Sequence, residues 1–427
     1  MGQVNGMMAT FDFDTPIDRG GTHSEKYDLR RRLFGTDAVE PLWVADMDFA
    51  SPPVVQAALQ ARVAHPVYGY TVVSDSVPAA LAGWLGRRRA WPVASDDISL
   101  TPGVVPTLYA AVAAFTEPGQ GVIVQPPVYP PLFDAVTRQG RALLENPLCE
   151  TPDGYAMDLD QLEALARGGA RLLLLCSPHN PVGRVWREDG LRAVLDIARR
   201  HGVTILSDEI HADLVYAPCH GAAIDAPQHT PLGRLAEAGD AVLTVVSPSK
   251  TFNIPGFGLS AVIVRHAESA RRLQAALDRM PVSVANPLSL AAFEAAYNYG
   301  DAWLDACLTA LRANRDALFA ALGAGCGHKG RAAAGQSAPV DHRSRSGALT
   351  ASPVDGRSPD ATYLAWLDCR AMGVDDAALM RRWVAAGLGL SAGARFGTGG
   401  HGFMRLNFAI PSRRMTRVLD RIATLAD

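Results

Sequence analysis

Between residues 100 and 265, short apolar runs alternate with stretches of helical periodicity, and this alternation constrains the fold more than any other feature. The runs lie at 122–125, 171–176, 203–207, 242–247 and 260–264. Each has the length of a buried strand. Strands that alternate with helices form a mainly parallel sheet covered by helices on both faces. The sequence therefore predicts an α/β fold whose ligands bind beyond the carboxyl ends of the strands.

The remaining chain extends this α/β unit at both ends. Residues 1–50 are rich in turn formers and charges, and we expect an N-terminal arm with a first segment of a small domain. Residues 51–285 are predicted to form the large domain, and residues 286–427 a smaller α+β domain. The patterns in this last part predict helices at 301–322 and 377–386 and strands at 363–368 and 404–409.

One long stretch, residues 325–360, does not match any regular element. Its only large apolar residues are Val340, Leu349 and Val354, and Gly, Ser, Ala, Pro and Arg fill most of the rest. Such a composition buries too little surface to offset the entropy of ordering. We expect a disordered insertion, and a partner-binding segment or an error in the gene model are the alternatives.

Composition and charge exclude several classes of partner. Forty basic against forty-three acidic side chains give a net charge of -3, so we expect no nucleic-acid partner. Apolar runs such as 108–115 are far shorter than the roughly 18 residues that a membrane span needs. The six cysteines form no CxxC pair, which predicts free thiols and no metal site. With an N-terminus unlike a signal peptide, the sequence predicts a cytoplasmic protein.

A lysine follows the apolar run at 242–247. The order there is Ser247-Pro-Ser249-Lys250, which places two hydroxyls and an amine at the edge of the sheet where ligands bind. An amine beside hydroxyl donors suits a Schiff base with an aldehyde cofactor whose phosphate is held nearby, as in pyridoxal phosphate. An exposed loop lysine is the alternative interpretation.

A carboxylate follows the neighbouring run at 203–207, in Asp208-Glu-Ile-His211. Asp208 could face the protonated ring nitrogen of such a cofactor, and an N-cap for a following helix explains it equally well. His211 could donate to the ring hydroxyl, or it could be a structural histidine.

Three further strand ends carry candidate cofactor ligands. Asn180 lies in a tight Asn-Pro-x-Gly turn after the run at 171–176, from which its amide could reach a cofactor oxygen. Gly103 precedes Val104 and Val105, whose amides would form an anion site at a helix N-terminus. Tyr129 offers an aromatic face for stacking, or it is simply a half-buried aromatic residue.

These strand ends, in this order, resemble the fold type I pyridoxal phosphate enzymes of the aminotransferase class I/II superfamily. Longer strings resemble its cystathionine β-lyase, or carbon–sulfur lyase, branch. They are Trp-Val-Ala45-Asp-Met47-Asp-Phe, Tyr-Gly-Tyr70, Asp208-Glu-Ile-His211 and Lys250-Thr-Phe-Asn-Ile. The likeness runs from about residue 12 to the C-terminus, apart from the insertion.

The resemblance implies a role for each matching residue, with pyridoxal 5'-phosphate as cofactor and an amino acid as substrate. Lys250 would be the Schiff-base lysine and Asp208 the partner of the ring nitrogen, while Tyr129 stacks on the ring. Arg405 would bind the substrate carboxylate, next to Ala45 and Met47. The other implied cofactor ligands are Val104, Val105, Asn180, His211, Ser247, Ser249 and, from the neighbouring subunit, Tyr70. A shared site of this kind implies a homodimer.

At two positions the sequence differs from the pattern of aminotransferases, and both differences favour the lyase branch. Gly258 stands where many transaminating relatives carry a phosphate-binding arginine, and His211 where aminotransferases usually have tyrosine. We therefore expect β-elimination from L-cystathionine or another cysteine S-conjugate, which yields a thiol, pyruvate and ammonia. Lys250 would remove the Cα proton, and Lys250 or Tyr129 would protonate the leaving thiolate. The alternatives are an aminotransferase and a regulatory binding protein on the same fold.

Overall fold

The computed structural model describes residues 11–216, 228–323 and 353–426. Strands and helices are numbered here in chain order. The strands are β1 (Glu40–Pro41), β2 (Ile98–Thr101), β3 (Gly121–Val124), β4 (Ala142–Glu145), β5 (Cys149–Thr151), β6 (Gly154–Ala156), β7 (Leu172–Cys176), β8 (Thr204–Asp208), β9 (Val242–Val246), β10 (Ser260–Ile263), β11 (Asp355–Gly356), β12 (Leu364–Asp368), β13 (Leu388–Gly389), β14 (Ser391–Ala392) and β15 (Phe403–Asn407).

The α-helices are α1 (Glu25–Asp28), α2 (Arg30–Phe34), α3 (Pro53–Ala64), α4 (Ser76–Arg89), α5 (Val104–Phe115), α6 (Pro131–Thr137), α7 (Leu159–Arg167), α8 (Glu188–His201), α9 (Leu232–Leu235), α10 (Pro248–Thr251), α11 (Ala267–Leu277), α12 (Pro287–Tyr299), α13 (Asp301–Ala321), α14 (Asp376–Ala385) and α15 (Ser412–Ala423). Short 3-10 helices lie at Ser95–Asp97, Pro255–Phe257, Arg370–Met372, Gly393–Phe396 and Thr424–Ala426. The predicted helices at 301–322 and 377–386 correspond to α13 and α14.

The central sheet has seven strands in the order β2-β10-β9-β8-β7-β3-β4. Neighbouring strands pair in parallel except at β10, which runs antiparallel to both β9 and β2. The expectation of a mainly parallel sheet is thus confirmed. Every residue of β7, β8 and β9 is buried, as continuous apolar strands require when both faces are covered.

Helices cover the two faces of this sheet with separate apolar cores. Helices α5, α6 and α11 pack on one face, and α7 and α8 on the other. Helix α8 buries Leu191, Val194, Leu195 and Ala198, a spacing that puts all four on one stripe. Helix α7 is capped at its N-terminus, because the Asp158 carboxylate accepts the Gln161 N–H at 2.9 Å.

The C-terminal part forms a second, four-stranded antiparallel sheet in the order β11-β12-β15-β14. Its core contains Leu379 and Trp383 from α14 and Met415 and Val418 from α15, and it is continuous with the apolar residues of α3, α4 and α12. This continuity fixes the second sheet against the central one. It therefore carries side chains of β15 toward the ligand edge of the central sheet.

The structure contradicts the predicted disorder at the C-terminal end of the insertion. Residues 353–360 are described, and they are part of the fold: Val354 is buried, and β11 pairs with β12 through Asp355 and Asp368. The expectation of disorder is wrong there because these residues complete the edge of the antiparallel sheet. Residues 325–352 lie outside the described residues.

Other sequence expectations concern cysteines, metals and membranes. Of the six cysteines, Cys149, Cys176, Cys307 and Cys369 are described, and all four are free thiols. The described ranges contain no cluster of three or more potential metal ligands. In the same ranges, none of the helices combines the length and apolar character that a membrane crossing needs.

Candidate active site

Six strands of the central sheet run in the same direction, and five of them lead to a candidate residue at one edge. Gly103, Tyr129, Asn180 and Lys250 follow β2, β3, β7 and β9, and Asp208 is the last residue of β8. Parallel pairing with matched registers brings these ends side by side, and Cys176 of β7 pairs directly with Asp208 of β8. The strand ends singled out in the sequence therefore converge in space.

Lys250 lies in the short helix α10 and is half-buried. Its Nζ donates a hydrogen bond of 2.6 Å to the carbonyl oxygen of Ala45, and the Tyr363 hydroxyl donates to the same oxygen at 2.8 Å. Burial lowers the pKa of the Lys250 amine to about 8, although the Asp46 carboxylate opposes this shift. The amine is therefore partly neutral near neutral pH and can act as a nucleophile and base.

Asp208 is the last residue of β8 and is buried. Its carboxylate accepts one hydrogen bond, from the Ile210 N–H at 3.2 Å, and makes no ion pair with any described residue. Burial raises the pKa of Asp208 to about 7. The alternative role as a helix N-cap is not realised, because residues 210–213 form a turn. An acidic group of this kind suits a partner that brings its own positive charge.

His211 and Asn180 flank this carboxylate. His211 is buried with its ring edge against Tyr363, at 6.2 Å between centroids, and burial lowers its pKa to about 3, so the imidazole is neutral. The Asn180 side-chain oxygen accepts a hydrogen bond of 3.1 Å from Arg405. The Asn180 amide nitrogen has no partner among the described residues and can donate to a ligand.

Arg405 extends from β15 of the second sheet into the site and is buried. One guanidinium nitrogen donates to Asn180, and another donates to the Trp43 carbonyl oxygen at 2.9 Å. The guanidinium carbon lies 4.9 Å from the centre of the Phe396 ring. Burial lowers the pKa of Arg405 to about 10. With no carboxylate beside it in the described residues, this cation is arranged to receive an anion.

The part of the site that is predicted to bind the cofactor phosphate lies at the N-terminus of α5. Gly103 has φ of +134° there, and a Cβ at this position would approach the Gly258 carbonyl oxygen to 3.4 Å. Helix α5 starts at Val104, and the amides of Val104 and Val105 have no partner within the described ranges. The Ser247 hydroxyl already donates to the Leu259 carbonyl at 2.8 Å, whereas the Ser249 side chain is without a described partner.

The two tyrosines predicted to act here are placed differently. Tyr129 lies at the edge with the other strand-end residues, and burial raises the pKa of its phenol, so its hydroxyl stays protonated. Tyr70 is fully exposed, on a segment that also exposes Val67, Tyr68 and Val72. Within one chain the structure does not bring Tyr70 to the other site residues.

The segment of residues 44–49, here the 44–49 segment, borders the site beside Lys250. Asn253 accepts the Met47 N–H at 2.9 Å and donates to the Met47 and Phe49 carbonyls, while Asn407 donates to the carbonyls of Val44 and Asp46. Ala45 contributes its carbonyl, as described above. The Met47 side chain is buried, with its sulfur 3.7 Å from the Cys307 sulfur. We therefore assign it to packing rather than to substrate contact.

Sequence reasoning missed a group of buried charges on the far side of this segment. We call it the carboxylate cluster: Arg19, Lys26, Asp46, Asp48 and Arg414. Asp48 lies 2.6 Å from Arg19, 3.2 Å from Lys26 and 2.8 Å from Arg414, and Asp46 lies 2.6 Å from Arg19. Asp46 and Asp48 belong to the Trp-Val-Ala-Asp-Met-Asp-Phe motif, but no pattern near them in the sequence identifies the distant cations as their partners.

The donor set fits pyridoxal phosphate. The site offers an amine for the aldehyde, a buried carboxylate for the ring nitrogen and free amides at a helix N-terminus for the phosphate. In the described ranges, Ser177 Oγ, His211 Nδ1 and Arg405 Nε are buried polar atoms without a hydrogen-bond partner. Buried polar atoms without partners are rare, and a bound cofactor and substrate would satisfy such groups.

Known proteins are similar to this chain over most of its length. The family model of class I and II aminotransferases matches residues 41–422. Cystathionine beta-lyase PatB of Bacillus subtilis (strain 168) is 38% identical over 399 residues, which cover 93% of this chain and 95% of PatB.

Two solved structures are also similar. Cystalysin from Treponema denticola, which contains a pyridoxal 5'-phosphate cofactor, has a TM-score of 0.85 at 32% identity, covering 97% of this chain and 98% of that one. The pyridoxal phosphate-bound C–S lyase from Staphylococcus hominis with the inhibitor L-cycloserine has a TM-score of 0.83 at 26% identity, with 98% and 99% covered.

Proposed function

Because the chain belongs to the family of class I and II aminotransferases, we propose that its strand-end residues serve a pyridoxal phosphate-dependent carbon–sulfur β-lyase. The enzyme cleaves L-cystathionine or related cysteine S-conjugates to a thiol, pyruvate and ammonia. Its relationship to PatB supports this reaction. The observation that carries the site assignment is the convergence of the half-buried Lys250 with the buried Asp208 and Arg405, three charged groups without ion-pair partners in the described residues.

Pyridoxal phosphate, when bound, supplies an aldehyde that reacts with amines and a ring that withdraws electrons from the substrate Cα. Asp208 would hold a proton at the ring nitrogen, because a carboxylate buried without a cation stabilises a positive charge placed against it. Asn180 and His211 would contact the ring hydroxyl of the cofactor, and Tyr129 would stack on the face of its ring. Val104 and Val105, with Ser249 and Ser247, would hold the phosphate, and Ser247 would exchange its bond to Leu259.

Arg405 would orient the substrate by binding its α-carboxylate with the guanidinium that Asn180 and the Trp43 carbonyl already hold. Lys250 would then take the proton from the substrate Cα. Its lowered pKa keeps a fraction of the amine neutral for that step. The same ammonium, or the protonated Tyr129 phenol, would deliver a proton to the leaving sulfur.

Transamination is the second candidate, since the family model is named for aminotransferases. Gly258 argues against it. Its φ is +60°, and a Cβ there would lie 3.7 Å from the Pro102 carbonyl, beside the helix end proposed for the phosphate. An arginine at this position, expected in many transaminating relatives, would adopt a strained backbone here.

The deciding experiment supplies L-cystathionine as the only substrate, without any keto acid. We expect homocysteine, pyruvate and ammonia in equal amounts over many turnovers. A burst that stops after one equivalent per site and restarts on addition of a keto acid would identify an aminotransferase instead.

We also propose a homodimer in the cytoplasm, with large and small domains divided near residue 285. The exposed apolar side chains of Val67, Tyr68, Tyr70 and Val72 support a subunit contact in which Tyr70 reaches the neighbouring site. Sedimentation of the wild-type protein and of Tyr70→Phe tests this arrangement. A dimeric variant with weakened cofactor affinity is expected, and a monomeric wild type would contradict it.

A further inference from the structure

Tyr363 is a fully buried tyrosine at the site to which the proposed function gives no role. It lies directly before β12, and its hydroxyl donates to the Ala45 carbonyl oxygen at 2.8 Å. The same oxygen accepts the Lys250 amine at 2.6 Å. Burial raises the pKa of the Tyr363 phenol well above its ordinary value, so the hydroxyl keeps its proton and remains a donor. Both lone pairs of the Ala45 oxygen are therefore used, one by the amine and one by the phenol.

The backbone just before Tyr363 is held in an uncommon conformation. Thr362 has φ of +71°, which is strained for a β-branched residue. Its N–H donates to the Leu214 carbonyl at 2.8 Å, and its own carbonyl accepts the Tyr216 hydroxyl at 2.5 Å. Strain of this kind persists only where the surroundings enforce it, and it is concentrated at functional sites. The fold thus fixes the chain that carries Tyr363.

The ring of Tyr363 is held by the segment that follows Asp208. The His211 ring meets it edge-on, at 6.2 Å between centroids and 77° between planes. The Leu214 N–H donates to the His211 carbonyl at 3.0 Å, so the segment that contacts the ring also holds the backbone before it. Neither of these supports involves Lys250. The phenol therefore stays at the Ala45 oxygen when the amine moves away to a ligand.

We propose that Tyr363 is a positioning residue for Lys250, because its hydroxyl takes one lone pair of the Ala45 oxygen and weakens the hold of that oxygen on the amine. Without the hydroxyl, the oxygen would bind the ammonium form of Lys250 more tightly. With it, the oxygen keeps a donor after the amine leaves to bind the cofactor or to take the substrate proton. This inference rests on the proposed role of Lys250 and adds a residue that acts through it.

Charged groups also surround Lys250. Burial lowers the pKa of its amine to about 8, three carboxylates oppose this shift and one guanidinium adds to it: those of Asp46, Asp208, Glu25 and Arg405. The facing His211 is neutral. Tyr363→Phe changes none of these charges and keeps the ring that packs on His211. A change in the pKa of Lys250 in this variant thus reports the lost hydroxyl.

The pH profile of the holoenzyme is the first test. In Tyr363→Phe, the acidic limb of kcat for L-cystathionine should move to higher pH by about 0.5–1 unit, because more of the Lys250 amine is held as ammonium. On that limb kcat should fall about three- to tenfold, and on the alkaline plateau it should stay near the wild-type value. A merely structural role of Tyr363 would lower kcat by the same factor at every pH.

A second readout does not depend on turnover. Trace acetylation of the cofactor-free, full-length protein, followed by peptide mass mapping, gives the titration of Lys250 separately from the two other lysines. Its midpoint should move upward by about 0.5–1 unit in Tyr363→Phe and stay unchanged in Tyr297→Phe. Tyr297 is the matched control, because it is also fully buried but packs on Phe293, at 4.8 Å between ring centroids.

The outcomes separate this inference from the proposed function. An unchanged or lowered midpoint in Tyr363→Phe, or an equal shift in Tyr297→Phe, would overturn the role of Tyr363. If the wild type releases no pyruvate from L-cystathionine, the lyase assignment fails. The labelling needs neither cofactor nor substrate, so it still decides whether Tyr363 acts on Lys250.

Discussion

The candidate active site and the carboxylate cluster lie on two sides of the 44–49 segment, and both bury charged side chains. In the cluster, Asp48 has three cations within 3.2 Å. In the site, Lys250, Asp208 and Arg405 form no ion pair within the described ranges. The comparison teaches that one set of buried charges is satisfied by the fold, while the other is left for a ligand to satisfy.

The two buried aspartates show this difference most directly. Burial disfavours the charged form of Asp48, yet Lys26, Arg414 and Arg19 outweigh it, and the pKa of Asp48 is lowered. Burial acts on Asp208 without such cations, and its pKa is raised to about 7. We therefore expect substitutions in the cluster to change stability and substitutions in the site to change chemistry.

The largest effect should come from Lys250→Ala, which removes the proposed nucleophile and base. We expect kcat to fall at least about 10⁴-fold, while the free energy of unfolding of the cofactor-free protein does not decrease, because the amine has no ion-pair partner. Turnover within tenfold of the wild type would refute the assignment.

A chemical readout of the same lysine is independent of turnover. The chain has three lysines, Lys26, Lys250 and Lys329, so borohydride reduction and peptide mass mapping can assign the cofactor linkage. The wild type should carry it on the peptide that contains Lys250.

Asp48→Asn should give the largest change in stability. It leaves Lys26 and Arg414 buried with less compensation, and we expect the free energy of unfolding in urea to fall by about 3–5 kcal/mol. Asp46→Asn is the matched variant and should cost less, since the Asp46 side chain is 14% exposed whereas that of Asp48 is fully buried. Equal losses in both variants would show that burial does not decide the effect.

Arg405→Ala should affect catalysis more than stability. Loss of a buried, charge-assisted contact to the substrate carboxylate should lower kcat/KM by about 100-fold. The free energy of unfolding should fall by no more than about 2 kcal/mol, since three neutral acceptors lose their donor while an unpaired buried charge is removed. A destabilisation as large as that of Asp48→Asn would place Arg405 with the structural charges.

The pH dependence of stability should have opposite signs for the two aspartates. The folded pKa of Asp208 is raised to about 7 from 3.8, so the unfolded chain loses this proton first, and its contribution to stability falls as the pH rises between these values. The contribution of Asp48, whose pKa is lowered, is present above its ordinary pKa and lost as the pH falls through the folded pKa.

The variant Asp208→Asn tests the expected sign of the pH dependence at Asp208. In the cofactor-free protein it should increase the free energy of unfolding by up to about 4 kcal/mol at pH 8 and have little effect near pH 4. Urea unfolding at the two pH values measures this difference. An increase that is equal at both pH values would show that proton linkage is not its cause.

Local patterns in the sequence predicted much of the fold and many positions of the site. Continuous apolar strands and periodic helices depend on neighbouring residues, so both can be recognised along the chain. Lys250, Asp208 and Asn180 were selected because parallel strands must end at one edge. The antiparallel direction of β10 was not predicted, because a short buried strand has the same composition in either direction.

The sequence by itself determined the sheet, the strand-end chemistry and, through its longer strings, the family. Only the tertiary structure decided which charges are paired, because partners such as Asp48 and Arg414 are separated by hundreds of residues and meet only through packing. It also placed the Met47 side chain in the core and brought Arg405 across from the second sheet. Pairing and burial depend on distances between distant segments, and no local pattern contains those distances.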